Sequence, residues 1–365
     1  MIVDSHQLDA EELPRFLDAR SLLQPHETVT QITLLEGGVS GTVYRVGTSD
    51  GREFVVKRAL EQLNVADDWH ADPARAIHEA RAIRVLHALT PQNVPELFDA
   101  DEETNTITME AAPADWLTWK QRMLAPAETA GSIDHVAIAR SLATALASWQ
   151  RTALHHPAVL ARFADKSLFE ALRVDPFHRV IRGVHPALAP AIDACIDELE
   201  QAELTLVHGD FSPKNVLVPP TPGPTPWVID FEVVHVGHPV FDVAFLCSHL
   251  ILKSIHLPQR RAEVDAARSA FLAGFEAEVD GVLRSAATAS LGRHTACLLL
   301  ARVDGKSPAS YLTAAERETV RQLAVDVLAS ADPEAAFAEL TAGAEHSASR
   351  AHPASAELTA RKEPS

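Results

Sequence analysis

The run Leu206-Val207-His208-Gly209-Asp210-Phe211-Ser212-Pro213-Lys214-Asn215-Val216-Leu217 sets a carboxylate, Asp210, shortly before an amide, Asn215. Fifteen residues after Asn215 comes Val228-Ile229-Asp230-Phe231-Glu232. Phosphoryl transfer needs a carboxylate to orient the attacking hydroxyl, and hard oxygen ligands to hold Mg²⁺ on the phosphates. Asp210, on a tight loop, has the type and setting to orient a hydroxyl and accept its proton. Asn215 offers Mg²⁺ a neutral amide oxygen. Asp230, at a strand end, offers a charged oxygen able to bridge two ions, and Glu232 a further contact, direct or through water. Glu232 also fits a purely structural hydrogen-bond role. His208 fits a side chain bracing its loop better than a catalytic base.

These loops need a scaffold. Residues 8–23 predict a short amphipathic helix with Leu13, Phe16 and Leu17 on one side. Strands are expected at Ile32–Leu35, Thr42–Val46 and Glu53–Lys57, joined by the Gly-rich Glu36–Gly41 segment and a Thr48–Gly51 turn. Ile77, Ala80, Ile83 and Leu86 form the stripe of a helix over Pro73–Leu89. Two more short strands are expected at Val94–Phe98 and Thr106–Glu110. The text then turns helical, with short β runs at 205–207, 216–218 and 227–229. The prolines of 219–226 predict a stiff exposed loop. Thr313 and Glu316 form a capping box opening a helix. Beyond about Ala331 the chain is rich in Ala, Ser and Glu and poor in branched apolar residues, and disorder is expected over the last fifteen or so residues. The expected domains are 1–112, 113–331 and a partly disordered 332–365.

The chain has 365 residues, 47% of them apolar, enough for a sizeable core. Lys and Arg number 32 against 50 Asp and Glu, a net charge of −18, which argues against broad binding to nucleic acid or anionic membranes. The three cysteines, Cys195, Cys247 and Cys297, have no CxxC spacing, so neither a disulfide framework nor a cysteine zinc site is expected. Met1–His6 lacks the marks of a signal peptide, and the apolar run Val240–Leu252 is too short and too polar to span a bilayer. A cytoplasmic protein is the expectation. Gly305-Lys306-Ser307 is no Walker A end, because position 300 is Leu within an apolar run.

His-Gly-Asp-x-x-x-x-Asn followed by Ile-Asp-x-Glu resembles the aminoglycoside phosphotransferase and choline kinase superfamily, as does Gly237-His238-Pro239-Val240-Phe241-Asp242-Val243-Ala244. The resemblance spans about residues 30–330. It implies an α+β, bilobal, protein-kinase-like fold: a small N-terminal lobe with an antiparallel sheet, and a larger, mainly helical C-terminal lobe. It implies an ATP- and Mg²⁺-dependent enzyme moving the γ-phosphoryl group to a hydroxyl of a small molecule. By that likeness Gly37, Gly38, Ser40 and Gly41 cover the phosphates, Lys57 contacts them, and Glu79 holds Lys57. Backbone groups of Glu110 and Ala112 bind adenine, Asp210 is catalytic, Asn215, Asp230 and Glu232 face the metal, and Asp242 anchors the loop. The Gly-Gly-Val-Ser loop, Asp-x-Glu and Ala301–Lys306 are similar to the methylthioribose kinase branch, which puts Arg302 near the acceptor. Arg302 equally fits a helix-end cap. Phe231, where that branch is expected to have Pro, and the 211–215 loop depart from it. The acceptor class implied is a sugar, thio-sugar or amino alcohol, with an aminoglycoside, or a nucleotide-binding module without turnover, as alternatives. Neither nucleic acid nor membrane is an expected partner. A homodimer is compatible with the sequence, which does not set the oligomeric state.

Overall fold

The computed structural model describes residues 10–35, 41–60, 72–126, 133–223 and 225–350, with side chains through 341. Five antiparallel strands, β1 (Val29–Leu34), β2 (Gly41–Thr48), β3 (Glu53–Ala59), β4 (Leu97–Asp101) and β5 (Thr106–Glu110), form a sheet in the order β1-β2-β3-β5-β4. Alternation along β3 sends Phe54 and Val56 to one face, Val55 and Lys57 to the other. Val46 and Val56 meet Leu13 and Leu17 of α1 (Leu13–Ala19). Arg20, just past α1, fastens it with bonds of 2.8 and 2.7 Å to Asp99. Helix α2 (Arg75–Leu89) lies against β3, β4 and β5, burying Ala76, Ala80 and Ile83.

The strand expected at 94–98 begins three residues later, as β4. Pro95 has no N–H for a ladder, and pairing with β5 starts only at Leu97 opposite Met109. Val94 is instead a core residue whose carbonyl accepts from His87 Nδ1 at 2.9 Å.

After Glu110 the chain enters the larger lobe. β6 (Leu117–Thr118) pairs with β8 (Val216–Val218), and β8 with β9 (Trp227–Val228). β7 (Thr205–Val207) pairs with β10 (His235–Gly237). Around these ribbons stand α3 (Trp119–Leu124), α4 (His135–Leu154), α5 (Pro157–Arg162), α6 (Ser167–Phe169), α7 (Val180–Val184) and α8 (Ala189–Gln201). Between α6 and α7 the ten residues Glu170–Arg179 are π-helical. Then follow α9 (Val240–His256), α10 (Arg261–Glu278), α11 (Gly281–Thr288), α12 (Leu291–Asp304), α13 (Ala314–Ala329) and α14 (Pro333–Arg350). α9 is buried almost throughout and forms the axis on which α10 and α12 pack. No single helix among the described residues is long and apolar enough to cross a membrane. The architecture is bilobal α+β.

The expected exposed loop at 219–226 needs correction: Pro219 and Pro226 are buried, and among its described residues 221–223 are exposed; Asn93 Nδ2 donates to Pro226 O at 3.0 Å and pins its foot. The segment after Ala331 begins as α14, because Phe337 is buried and Glu334 accepts from the N–H groups of Gly292 and Arg293 at 2.5 and 3.0 Å. Those are otherwise orphaned donors at the start of α12. Residues 351–365 lie outside the described residues.

Candidate active site

The loop after β7 is held by a buried carboxylate. Asp242, in the first turn of α9, accepts from His208 N at 2.7 Å and Gly209 N at 2.9 Å. Burial pushes Asp242 up to about 7, against those two bonds, which favour its charge. Gly209 has φ +78°, and a Cβ there would lie 2.9 Å from Val233 O, so only glycine fits. His208 Nδ1 accepts from Asp210 N at 3.1 Å. Burial pushes His208 down to about 4 despite the charges of Asp210 and Asp230, so the ring is a neutral brace. Asn215 Nδ2 donates to Asp210 O at 3.0 Å, which leaves its Oδ1 as the acceptor of that amide.

Asp210 is 3% exposed. Arg173 Nη2 lies 2.9 Å and Lys214 Nζ 2.7 Å from its Oδ2. Burial raises the carboxyl's pKa, but the Arg173 and Lys214 charges outweigh it, so the net shift is downward. Arg173 reaches Asp210 from the π-helical stretch, where its Nε also donates to Gly209 O at 2.6 Å.

Asp230 follows β9 with φ +71°, a left-handed conformation that costs a non-glycine residue roughly 1–3 kcal/mol and concentrates at functional sites. Lys57 Nζ on β3 lies 2.8 Å from Asp230 Oδ1 and 2.8 Å from Glu79 Oε2 on α2. Burial opposes the Lys57 charge, but Asp230, Glu79 and Glu232 hold it well above the ordinary lysine range. Burial also raises Glu79, to about 7, even beside Lys57. Arg75 Nε lies 3.3 Å from Glu232. Carboxylate oxygens of Glu79, Asp230 and Glu232 all lie within 4.8 Å of one another. With the Asn215 amide they are hard oxygen donors of the type Mg²⁺ takes. Glu79 itself is buried, at 1% exposure.

Gly37, Gly38 and Ser40 lie outside the described residues. Gly41 opens β2, where a Cβ would come within 2.7 Å of Arg58 O; its small size serves strand packing. At the end of β5, Glu110 N donates to Glu96 O at 2.8 Å, and among the described residues Ala112 N–H donates to none. A cleft of about 690 Å³ is lined by Phe54, Phe98, Glu110, Ala111, Trp116 and Trp227; none of Lys57, Asp210, Asn215 or Asp230 lines it. Arg302 Nη1 donates to Ser307 Oγ at 3.0 Å, and burial lowers its pKa against the charges of Tyr311 and Asp210.

Sequence reasoning passed over Arg173, Lys214 and the buried Lys253. Lys214 had a usable signal, its place four residues after Asp210 in the same loop. Arg173, thirty-seven residues before Asp210 in a different element, had none.

A five-stranded sheet over a helical lobe, with these carboxylates, amide and lysine between them, defines a protein-kinase-like phosphotransferase fold. The profile of the phosphotransferase enzyme family, APH, matches residues 31–277. The chain belongs to that family. It is similar to "Methylthioribose kinase 2" of Oryza sativa subsp. japonica, 27% identical over 227 residues, or 56% of this chain and 52% of that protein. The chain thus spans about half the length of that curated relative. Its fold is similar to the amicoumacin kinase hAmiN solved with AMP-PNP, Ca²⁺ and Ami (TM-score 0.52, 14% identity, 89% of this chain and 95% of that one). It is also similar to an ethanolamine kinase of Plasmodium vivax (TM-score 0.50, 11% identity, 92% and 89%).

Proposed function

We propose that the protein transfers the γ-phosphoryl group of ATP to a hydroxyl of a small molecule, such as a sugar, thio-sugar or amino alcohol. Residues 1–112 then form the nucleotide lobe and 113–331 the catalytic lobe. The observation that carries this reading is that the loop bearing Asp210 and Asn215, bonded through Asn215 O to Ile229 N at 3.0 Å, stands beside the Lys57–Asp230 pair that joins the two lobes.

Asp210 orients the acceptor hydroxyl and takes its proton as the new O–P bond forms. Its lowered pKa keeps it ionised for that task near neutrality. Asn215, Asp230 and Glu232 would hold Mg²⁺, which supplies charge neutralisation on the phosphates. Lys57, held by Glu79, steadies the phosphates, and the Glu110 carbonyl and Ala112 N–H supply the edge contacts for adenine. Residues 37–41 cover the phosphates. Catalysis is then mainly positioning and charge stabilisation.

The test is Mg·ATP-dependent ADP release across a panel of hydroxylated acceptors, with Asp210→Asn beside the native protein. Acceptor-dependent release that falls roughly 10²–10⁴-fold in the variant, with ATP still bound, is the expected result. A folded protein that binds no Mg·ATP overturns the reading. Binding without turnover on any acceptor supports the nucleotide-sensing alternative.

A further inference from the structure

Three elements of the larger lobe bring cations together without bringing carboxylates. Lys120 on α3 and Lys253 on α9 both lie over the ring of Tyr311, 5.9 and 5.6 Å from its centre. Lys253 is fully buried, and its one hydrogen bond, 3.3 Å, goes to His249 O in its own helix. Arg302 on α12 uses Nη1 on Ser307, while its Nε is buried without a partner, as is the Tyr311 hydroxyl. Among the described residues no carboxylate lies within 4.0 Å of Lys120, Lys253 or Arg302.

The surrounding acids are committed elsewhere. Glu316 on α13 accepts from Thr313 N and faces His256 at 3.1 Å. Asp265 on α10 accepts from Ser254 Oγ and faces Arg261 and Arg268. Asp210 is taken by Arg173 and Lys214. Burial, then the charges of Lys120 and Arg302, push Lys253 down to about 7. Burial and the charges of Lys253, Arg302, Lys214 and Lys120 depress His249 as well. The cluster adjoins the Asp210 loop: α3, which bears Lys120, packs against residues 213–215, and Lys214 there lies 2.7 Å from Asp210 Oδ2.

An unpaired buried lysine costs a protein several kcal/mol, and contact with a ring offsets only part of that. A side chain needed only for packing would be met by methionine. The missing counter-charge is of the kind a ligand brings.

We propose that the acceptor carries an oxyanion, a carboxylate or a phosphate, beside the hydroxyl that is phosphorylated, and that Lys253, Arg302 and Lys120 hold it. This rests on the phosphotransferase reading and narrows it: a polycationic acceptor is disfavoured beside this cluster.

The experiment compares matched acceptors by Mg·ATP-dependent ADP release: gluconate against glucose, glycerate against glycerol, and ribose 5-phosphate against ribose. The first two pairs report a carboxylate, the third a phosphate. The charged member of at least one pair is expected to have the higher kcat/KM. Lys253→Met should erase that preference, roughly 30-fold or more, with KM for ATP unchanged. The same variant should melt no lower than the native protein, since a buried unpaired charge has gone, and this separates ligand binding from a structural role. A second arm titrates the Mg·ADP-loaded protein with gluconate and with ribose 5-phosphate at about pH 8, in two buffers of different ionisation enthalpy. An anion that pairs with Lys253 draws a proton onto it, so net uptake is expected in the native protein and none in Lys253→Met. Asp210-dependent turnover of neutral or cationic acceptors alone, or an anion preference intact in Lys253→Met, overturns the anionic acceptor and leaves the phosphotransferase reading standing. Absence of saturable anion binding by protein that does bind Mg·ADP overturns it too. Failure to bind the nucleotide at all is the failure of the phosphotransferase reading.

Discussion

Arg173 Nη2 stands 2.9 Å from Asp210 Oδ2, with both side chains largely buried, so the carboxylate proposed to orient an acceptor hydroxyl already faces a guanidinium. That cation holds the Asp210 pKa down against burial. Replacing Arg173 by Met removes the larger of two opposing charges, and the carboxyl titrates higher. The acidic limb of the kcat–pH profile should therefore move to higher pH, and kcat near neutrality should fall by about 10²-fold, the usual loss for one electrostatic group at a reacting centre. A profile with an unmoved limb would assign Arg173 to packing alone.

Lys57 is the counter-charge for a buried carboxylate group that includes Glu79, Asp230 and Glu232. Lys57→Met leaves these acids short of a partner, a change that costs about 3–5 kcal/mol in comparable buried pairs. Millimolar Mg²⁺ without nucleotide should raise the melting temperature of the variant more than that of the native protein. Equal shifts would mean that the carboxylates do not share an ion.

Asp242 is pushed up to about 7 by burial, so the folded state holds a proton that the unfolded chain has released. Its contribution to stability is therefore greatest below about pH 4, declines as pH rises to about 7, and is level beyond. Asp242→Asn should remove that part of the slope in urea unfolding at pH values on either side of the window. An amide accepts through one oxygen and cannot serve both His208 N and Gly209 N, so kcat should drop as well.

Gly209→Ala sets a Cβ 2.9 Å from Val233 O at φ +78°. The strain is about 2 kcal/mol or more. Urea unfolding should report that loss, and steady-state kinetics a fall in kcat with the KM for ATP little changed. Native stability in the variant would show that Val233 yields.

Asp210, Asn215 and Asp230 were legible in the sequence because one short loop and one strand end fix their relations locally, and local spacing survives into the fold. The sheet was legible for the same reason, through alternation and turns. Relations set by packing were not. Pro95 looked like part of a strand until ladder pairing excluded it. The helix at 333–350 has few branched apolar residues, and it forms because Phe337 and Glu334 find places against α12. Lys253 closes an apolar run and gives no local sign that its ammonium would end beside Arg302 and Lys120.

The π-helical stretch Glu170–Arg179 carries Pro176 inside it, a residue with no N–H to give to the helical ladder. Wide turns of this kind behave as residues added to a helix, and they change its reading frame. Deleting one residue there would turn the following side chains by roughly 100°. The composition of the segment would hardly change, and every charge would still be present. Relatives that share this site are thus to be recognised by helical phase: an arginine nearby in an alignment counts only when the insertion travels with it.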